Sequence, residues 1–361
     1  MRTRYRAALA WTGAAVLVMT SALLLMPELP AAARSAAAPG AAGRSLPRRI
    51  YAPYFEAWTR ESVATVAQQS GARYLTLAFI QAAGKKGAAA CTPTWNGNRK
   101  QPISAGRYLA QIVRVRKLGG DVIPSFGGYS ADQGGTEIAD ACHSVAAIAR
   151  AYEQVITVYH VTRLDMDVEA RSLTNRAGIE RRSRAIALAQ RWARACGIRL
   201  QIQFTIGIEP HGLDKQNLNV VRSAVAAGVR VSSVNLMVFD YYLGHETKPL
   251  AMGKLAIEAV SNAHRQLARV FPWLSRARVW HLEGMTMLPG IDDYPKKTEV
   301  TSLADAQEMM RFARAHGMNF LSIWAIQRDN GGCPGAIDSN RCSGITQTTW
   351  AFSHLLEPYS G

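Results

Sequence analysis

From residue 48 onward the chain alternates short apolar runs with longer stretches of helical period, eight times in succession. The strand-like runs are Arg49–Tyr54, Tyr74–Ile80, Asp121–Phe126, Arg163–Val168, Leu200–Thr205, Val234–Phe239, Arg278–Leu282 and Phe320–Ala325. Between them lie Ala-, Arg- and Gln-rich segments such as Ile179–Ala195 and Ala251–Val270. Apolar residues recur there every third or fourth position, the spacing of a helix with one buried face. Strict strand-then-helix order predicts a parallel sheet with helices outside it. Eight such units in roughly 310 residues fit a barrel that typically takes about 250 residues plus insertions. An open, doubly wound sheet is the alternative, but it usually places a Gly-rich turn after the first strand. Here Tyr51-Ala-Pro-Tyr-Phe-Glu-Ala-Trp58 stands in that place. The predicted fold class is therefore α/β, a (β/α)8 TIM barrel.

The residues before this body have another character. Arg2, Arg4 and Arg6 are followed by an Ala-, Leu- and Val-rich run from Ala7 to Met26, and no further charge appears until Glu28. Pro30-Ala31-Ala32-Ala33 supplies a small-residue exit. A basic start, an apolar middle and a small-residue exit make an export signal. The apolar run exceeds the usual ~7–15 residues of a cleaved signal and approaches the ~20 that span a bilayer. An uncleaved anchor is thus the alternative to a cleaved signal. We read residues 1–33 as signal peptide or N-terminal anchor, 34–47 as an Ala/Gly/Pro-rich linker, and 48–361 as one catalytic domain. The expected location is secreted, with membrane contact only through the anchor, and the expected state is a monomer.

Composition matters at two points. The formal charge is +16, and the first 47 residues hold five arginines and one glutamate, so the body keeps +12. Its arginines, Arg181, Arg182, Arg184, Arg191 and Arg194 among them, are scattered along helical segments and read as a solvated face. No nucleic-acid-binding pattern accompanies them, and no nucleic-acid partner is expected; the charge suits adhesion to anionic wall polymers. The five cysteines include no Cys-x-x-Cys pair, which removes the common zinc and redox motifs. In an oxidising compartment Cys333 and Cys342, flanking a short polar loop, suit a disulfide, and Cys91 with Cys142 suit a second. Spacing alone does not settle that pairing. Cys196 reads as a buried thiol.

A barrel carries its chemistry at the C-terminal ends of its strands. Polar and aromatic residues gather there: Glu56 and Trp58 after the first strand, Gln81 after the second, and Ser125-Phe-Gly-Gly128 after the third. Gln203 and Thr205 lie on the fifth, Phe239-Asp-Tyr-Tyr242 end the sixth, and Trp324 is on the eighth. On the seventh, His281 and Glu283 alternate, and we weigh them equally as substrate contacts and as a hydrogen-bonded rim pair. Trp58, Trp95 and Trp280 are candidate sugar platforms or plain packing residues.

The sharpest signal is Leu164-Asp165-Met166-Asp167-Val168-Glu169 on the fourth strand. Side chains on a strand alternate, so Asp165, Asp167 and Glu169 share the inward face while Met166 and Val168 lie under the helices. Three neighbouring carboxylates in a poorly solvated interior cannot all ionise cheaply, so at least one holds a proton near neutral pH. Glu169 is outermost, and a carboxyl of raised pKa at the mouth of a cleft is what a general acid requires. A metal site is disfavoured because no histidine lies in the strand, and a purely structural cluster because buried charges are costly unless used or paired. No cofactor and no metal are expected.

Asp165-x-Asp167-x-Glu169 on the fourth barrel strand resembles the signature of the family 18 glycoside hydrolases, the chitinase family. Ser125-Phe-Gly-Gly128 resembles that family's Ser-x-Gly-Gly, and Met237-Val-Phe-Asp240 its Met-x-Tyr-Asp. Trp324 matches the Trp that floors the reactive sugar site. The likeness runs from about Arg48 to the C-terminus and has the flavour of exported actinobacterial-type chitinases. It implies hydrolysis of β-1,4-N-acetylglucosamine linkages in chitin or its oligosaccharides, with retention by substrate-assisted catalysis, an exception to the usual two-carboxylate scheme. It assigns Glu169 as general acid/base, Asp167 as the group orienting the acetamido N–H, and Asp165 as its proton-sharing partner. Tyr241, Asp240, Trp324, Met237, Gln203 and Gly128 are the implied substrate-binding residues.

Two positions depart from the pattern. Thr162 and Arg163 replace the Asp-Gly that often opens the motif, far from the chemistry. Phe239 replaces a Tyr whose hydroxyl holds the acetamido oxygen, a loss on the order of a few kcal/mol of barrier. Tyr241 or Tyr242 are the candidates to supply that hydroxyl, Tyr241 being on the same face if the strand continues. An endo-β-N-acetylglucosaminidase acting on glycans or wall polysaccharide, and a non-catalytic chitin-binding lectin, are the alternative readings.

Overall fold

The computed structural model describes residues 46–243, 248–293, 297–337 and 340–361. The export or anchor segment and nearly all of the linker lie outside the described residues. Among the described residues no helix is long and apolar enough to cross a membrane.

The strands of the main sheet are β1 (Ile50–Tyr51), β2 (Tyr54–Glu56), β3 (Tyr74–Ala82), β4 (Asp121–Gly127), β5 (Arg163–Val168), β6 (Gln201–Gly207), β7 (Val231–Met237), β8 (Glu283–Met287) and β9 (Phe320–Ile323). These follow the order β1-β9-β8-β7-β6-β5-β4-β3-β2, each pair parallel, and off this path a further strand, Pro93–Trp95, pairs antiparallel with β3. The first expected strand is two pieces. β1 pairs with the last strand and β2 with β3, so one broken strand joins the two edges and curls the sheet into the expected barrel. The break has a local cause. Pro53 has no N–H to give to a ladder, although its carbonyl still accepts from the Thr76 N–H at 2.9 Å, and the Ala52 N–H bonds the Leu321 carbonyl at 2.9 Å.

β3, β4 and β5 are buried along their whole length, as strands covered on both faces must be. Helices form the outer layer. Met252–Val270 shows why: Met252, Ala256, Ala259, Ala263 and Leu267 fall on one face and are buried, while charged residues take the other. Serines start several of these helices, with Ser144 accepting the Ala147 N–H and Ser302 the Asp305 N–H.

Inside the barrel the side chains change character with height. Leu46, Ile50, Ala52, Tyr74, Ile123 and Phe320 form an apolar layer at the base. Above it come hydroxyls, amides and one carboxyl: Tyr54, Ser125, Asp165, Gln203, Thr205 and Asn235, all buried. That polar layer is the bed of the site.

Four expectations are corrected. Arg278–Leu282 is not the seventh strand. Ser275 caps the helix Arg276–Val279, a 3-10 turn takes Trp280–Leu282, and the strand begins at Glu283. The apolar alternation of Val279, Trp280 and Leu282 belongs to packed turns. His281 and Glu283 therefore sit at the base, away from the rim. There Arg48 lies 2.7 Å from His281, and the buried Glu283 Oε1 lies 2.9 Å from His264 Nδ1. Cys196 is exposed, since it ends the helix Arg176–Ala195 and lies beyond its buried face. Arg182 is buried, its guanidinium 2.9 Å from Glu137. The disulfides Cys91–Cys142 and Cys333–Cys342 are both formed.

Candidate active site

A cavity of about 690 Å³ opens over the C-terminal ends of the strands. Its walls are Asp167 and Glu169 from β5 and its end, Tyr54 and Trp58 near β2, Phe79 from β3, and Thr205 and Met237 from the far side. Phe239, Asp240, Tyr242, Asp293 and Trp324 complete the rim. A concave, largely apolar site with a few convergent polar groups is the ordinary form of a small-ligand site.

The three carboxyls of β5 share one face and differ in surroundings. Asp165 pairs in register with Ser125 of β4 and Gln203 of β6, and Asp167 with Gly127 and Thr205. Asp165 accepts from Ser125 Oγ at 2.6 Å, Thr205 Oγ1 at 2.7 Å and the Tyr54 hydroxyl at 2.9 Å. Burial raises its pKa, and these three hydroxyls oppose the rise because they stabilise the anion. Asp167, one step up, has a buried Oδ1 with no hydrogen-bond partner. Burial first, then the charges of Glu169, Asp165 and Asp132, push its pKa far above the carboxylate range. The proton of the pair thus belongs on Asp167 and the charge on Asp165. Glu169 is partly exposed at the cavity wall, and desolvation lifts its pKa to about 7, against the Tyr129 backbone N–H that favours the anion.

An aromatic wall faces the carboxyls. Phe79 and Trp324 stack with centroids 5.4 Å apart, Tyr54 meets Trp324 edge-on at 5.5 Å, and Trp58 lies 6.2 Å from Trp324. Trp58 is 46% exposed and so presents a free face. The tryptophans thereby separate by role. Trp95 is fully buried against Tyr108 and Tyr159, and Trp280 stacks on His264 at the base, so both are packing residues.

On the opposite wall Asp240, Asp292 and Asp293 form an acidic cluster. Burial, and then hydrogen bonding to Asp292, push the Asp240 pKa to about 10. Asp292 Oδ2 accepts the Asp240 N–H at 3.1 Å. The strand ends at Met237, and Asp240 and Tyr242 take positive φ values of 56° and 50°. The inward-outward alternation stops there. Tyr241 consequently turns into the core, 4% exposed, its N–H bonded to Glu299 at 2.9 Å. Of Tyr241 and Tyr242, it is Tyr242 that lines the cleft.

The structure therefore brings Glu169, Asp167, Asp240, Met237 and Trp324 together around one cavity. Asp165 and Gln203 are fully buried beneath it. Gly128 does not line it but supports Phe79: a Cβ at Gly128, where φ is +83°, would stand 2.5 Å from the ring. Sequence reasoning missed Tyr54, Phe79, Tyr129 and Asp132. Tyr54 alone carried a signal, being on the first strand with inward parity.

No protein-family model matches the chain. It is 30% identical over 332 residues to a probable bifunctional chitinase/lysozyme of Escherichia coli, covering 89% of this chain and 36% of that protein. It is 28% identical over 297 residues to endochitinase 11 of Metarhizium anisopliae, covering 80% of this chain and 54% of that one. The chain thus spans between a third and just over half of these relatives' lengths. Its fold superposes on the catalytic domain of a hyperthermophilic chitinase from Pyrococcus furiosus with a TM-score of 0.74, at 27% identity, covering 89% of this chain and 97% of that domain.

Proposed function

We propose, from the premise that this chain carries a family 18 chitinase-type catalytic domain homologous to bacterial, archaeal and fungal chitinases, that it hydrolyses β-1,4 linkages between N-acetylglucosamine units. The observation that carries the reading is the placement of Asp165, Asp167 and Glu169 on one inward face, ending at a cavity whose other wall is Trp324.

The chemistry follows from the three environments. Glu169, protonated below about pH 7, gives its proton to the glycosidic oxygen. As the C–O bond breaks, the acetamido oxygen of the same sugar attacks the anomeric carbon from the opposite face and forms an oxazolinium ion. Asp167 accepts the acetamido N–H, which becomes more acidic as positive charge grows on that group. To do so Asp167 must surrender its proton toward Asp165, and the hydroxyls of Ser125, Thr205 and Tyr54 set how readily Asp165 takes it. Water then opens the oxazolinium with Glu169 as base, restoring the original anomer. The aromatic wall excludes water from one face of the ring. Tyr242 supplies the hydroxyl that Phe239 lacks. Export to the cell exterior and a monomeric state are part of the same proposal.

The test uses the exported body with N-acetylglucosamine hexamer. Shorter oligosaccharides whose fresh ends are β-anomers, absent with Glu169→Gln, support the reading. An intact hexamer that still binds would replace it with a lectin, and an intact hexamer beside a cleaved glycan would replace it with the glycan-specific enzyme.

A further inference from the structure

The short helix Tyr129–Gly134, opened by Gly128, lies across the end of β5. Two contacts join it there. The Gly128 N–H donates to the Asp167 carbonyl at 3.3 Å, and Asp132 Oδ2 accepts the Glu169 N–H at 2.5 Å. The β4–β5 ladder stops at Gly127↔Asp167, where β4 gives way to the helix. A side-chain carboxyl five residues further on, that of Asp132, takes up the N–H that the ladder no longer serves.

We propose that Asp132 is a positioning residue for Glu169, its carboxyl holding the Glu169 backbone so that the acid enters the cleft at one fixed angle. This rests on the reading of Glu169 as general acid. Asp132 is fully buried, and its Oδ1 has no hydrogen-bond partner. A helix-surface aspartate has no such need of burial, and a buried carboxyl with one unsatisfied oxygen is costly. Its surroundings explain how it persists. Behind it lie Glu137, Asp140 and Arg182, the last a buried guanidinium 2.9 Å from Glu137. Glu137 is held by the Ala139 and Asp140 N–H groups at 2.7 and 3.1 Å, and Asp140 by Asn175 at 2.9 Å. In front lie Glu169 and Asp167. Burial and the neighbouring Glu137 raise the Asp132 pKa, and Arg182 together with the Glu169 N–H opposes the rise.

The test compares D132A with D132N, which keeps the acceptor and the size, and D132S, which keeps a polar side chain but has a hydroxyl too short to reach the Glu169 N–H. Hexamer turnover and carboxyl carbon-13 NMR of the full chain are both read, the Glu169 signal being the one lost in E169Q. In D132A we expect kcat to fall about 10- to 100-fold with KM little moved. We also expect the Glu169 midpoint to drop from about 7 toward the ordinary glutamate range as water reaches the loosened acid. D132N should restore most of both. A folded D132A with wild-type kcat and midpoint overturns the proposal, as does a D132N as impaired as D132A. If D132A does not fold, D132S takes its place against D132N, and the same two outcomes decide. The midpoints judge Asp132 even if the wild type cleaves no chitooligosaccharide, an outcome that would sink the proposed activity alone.

Discussion

At the scale of single residues the site depends on protons, and two substitutions read them directly. On the proposed mechanism Glu169→Gln removes the proton donor, so turnover should fall on the order of 10²–10⁴-fold. The same change should stabilise the fold at alkaline pH. A carboxyl whose folded pKa is about 7, above its unfolded value, binds its proton more tightly when folded. Its contribution is therefore full at acid pH and is lost as pH rises through 7. E169Q should gain on the order of 1–3 kcal/mol over wild type at pH 8 and little at pH 4, read by thermal melts at both. In the wild type, kcat/KM should decline above about pH 7 as the acid ionises. Tyr241 and Tyr242 make the second comparison. Tyr242→Phe should slow hydrolysis. Tyr241→Phe, which removes a buried hydroxyl without a partner, should leave hydrolysis untouched and stabilise the chain by up to about 1 kcal/mol. Residue order could not separate this pair, because the alternation that favours Tyr241 ends with the strand at Met237 and the backbone then turns through positive φ.

At the scale of elements, the join between β4 and the helix that follows it decides whether the site forms. Gly127 has φ +101°, and a Cβ there would stand 2.0 Å from the Asp167 carbonyl oxygen. Gly127→Ala must push β4 away from the strand that carries the three carboxyls. We expect a loss of about 1–3 kcal/mol together with a drop in kcat larger than the change in KM, measured by melting and by hexamer hydrolysis. The alternation of Asp165, Asp167 and Glu169 was legible because a strand has one period and β5 keeps it to its end. The seventh strand was not, because the residues of a short capped helix and a 3-10 turn happen to alternate in polarity. Asp132 was invisible for another reason. It sits on a six-residue helix with no period to read, and its partner is a backbone N–H 37 positions away.

At the scale of the whole molecule, the barrel is closed by a broken first strand and tied by two covalent links. Cys91–Cys142 closes a stretch of 51 residues and Cys333–Cys342 one of 9. Loop-closure entropy makes the longer link worth about 4 kcal/mol and the shorter about 3 kcal/mol. Paired Cys→Ala variants, melted with and without reductant, should rank in that order. Burial then sorts what sequence could only enumerate. Trp58 and Trp324 face the cleft while Trp95 and Trp280 are packed away, and Arg182, one of a run of arginines that reads as solvated, is a buried counter-ion. The sequence by itself determined the fold class, the strand bearing the acids and which of them is outermost, because these depend on period and parity, which are local properties of the chain. The tertiary structure alone decided which tyrosine lines the cleft, which glycine shapes the aromatic wall, and that Asp132 reaches the acid. Those are distances between segments far apart in sequence, set by how each strand ends and by what packs against it.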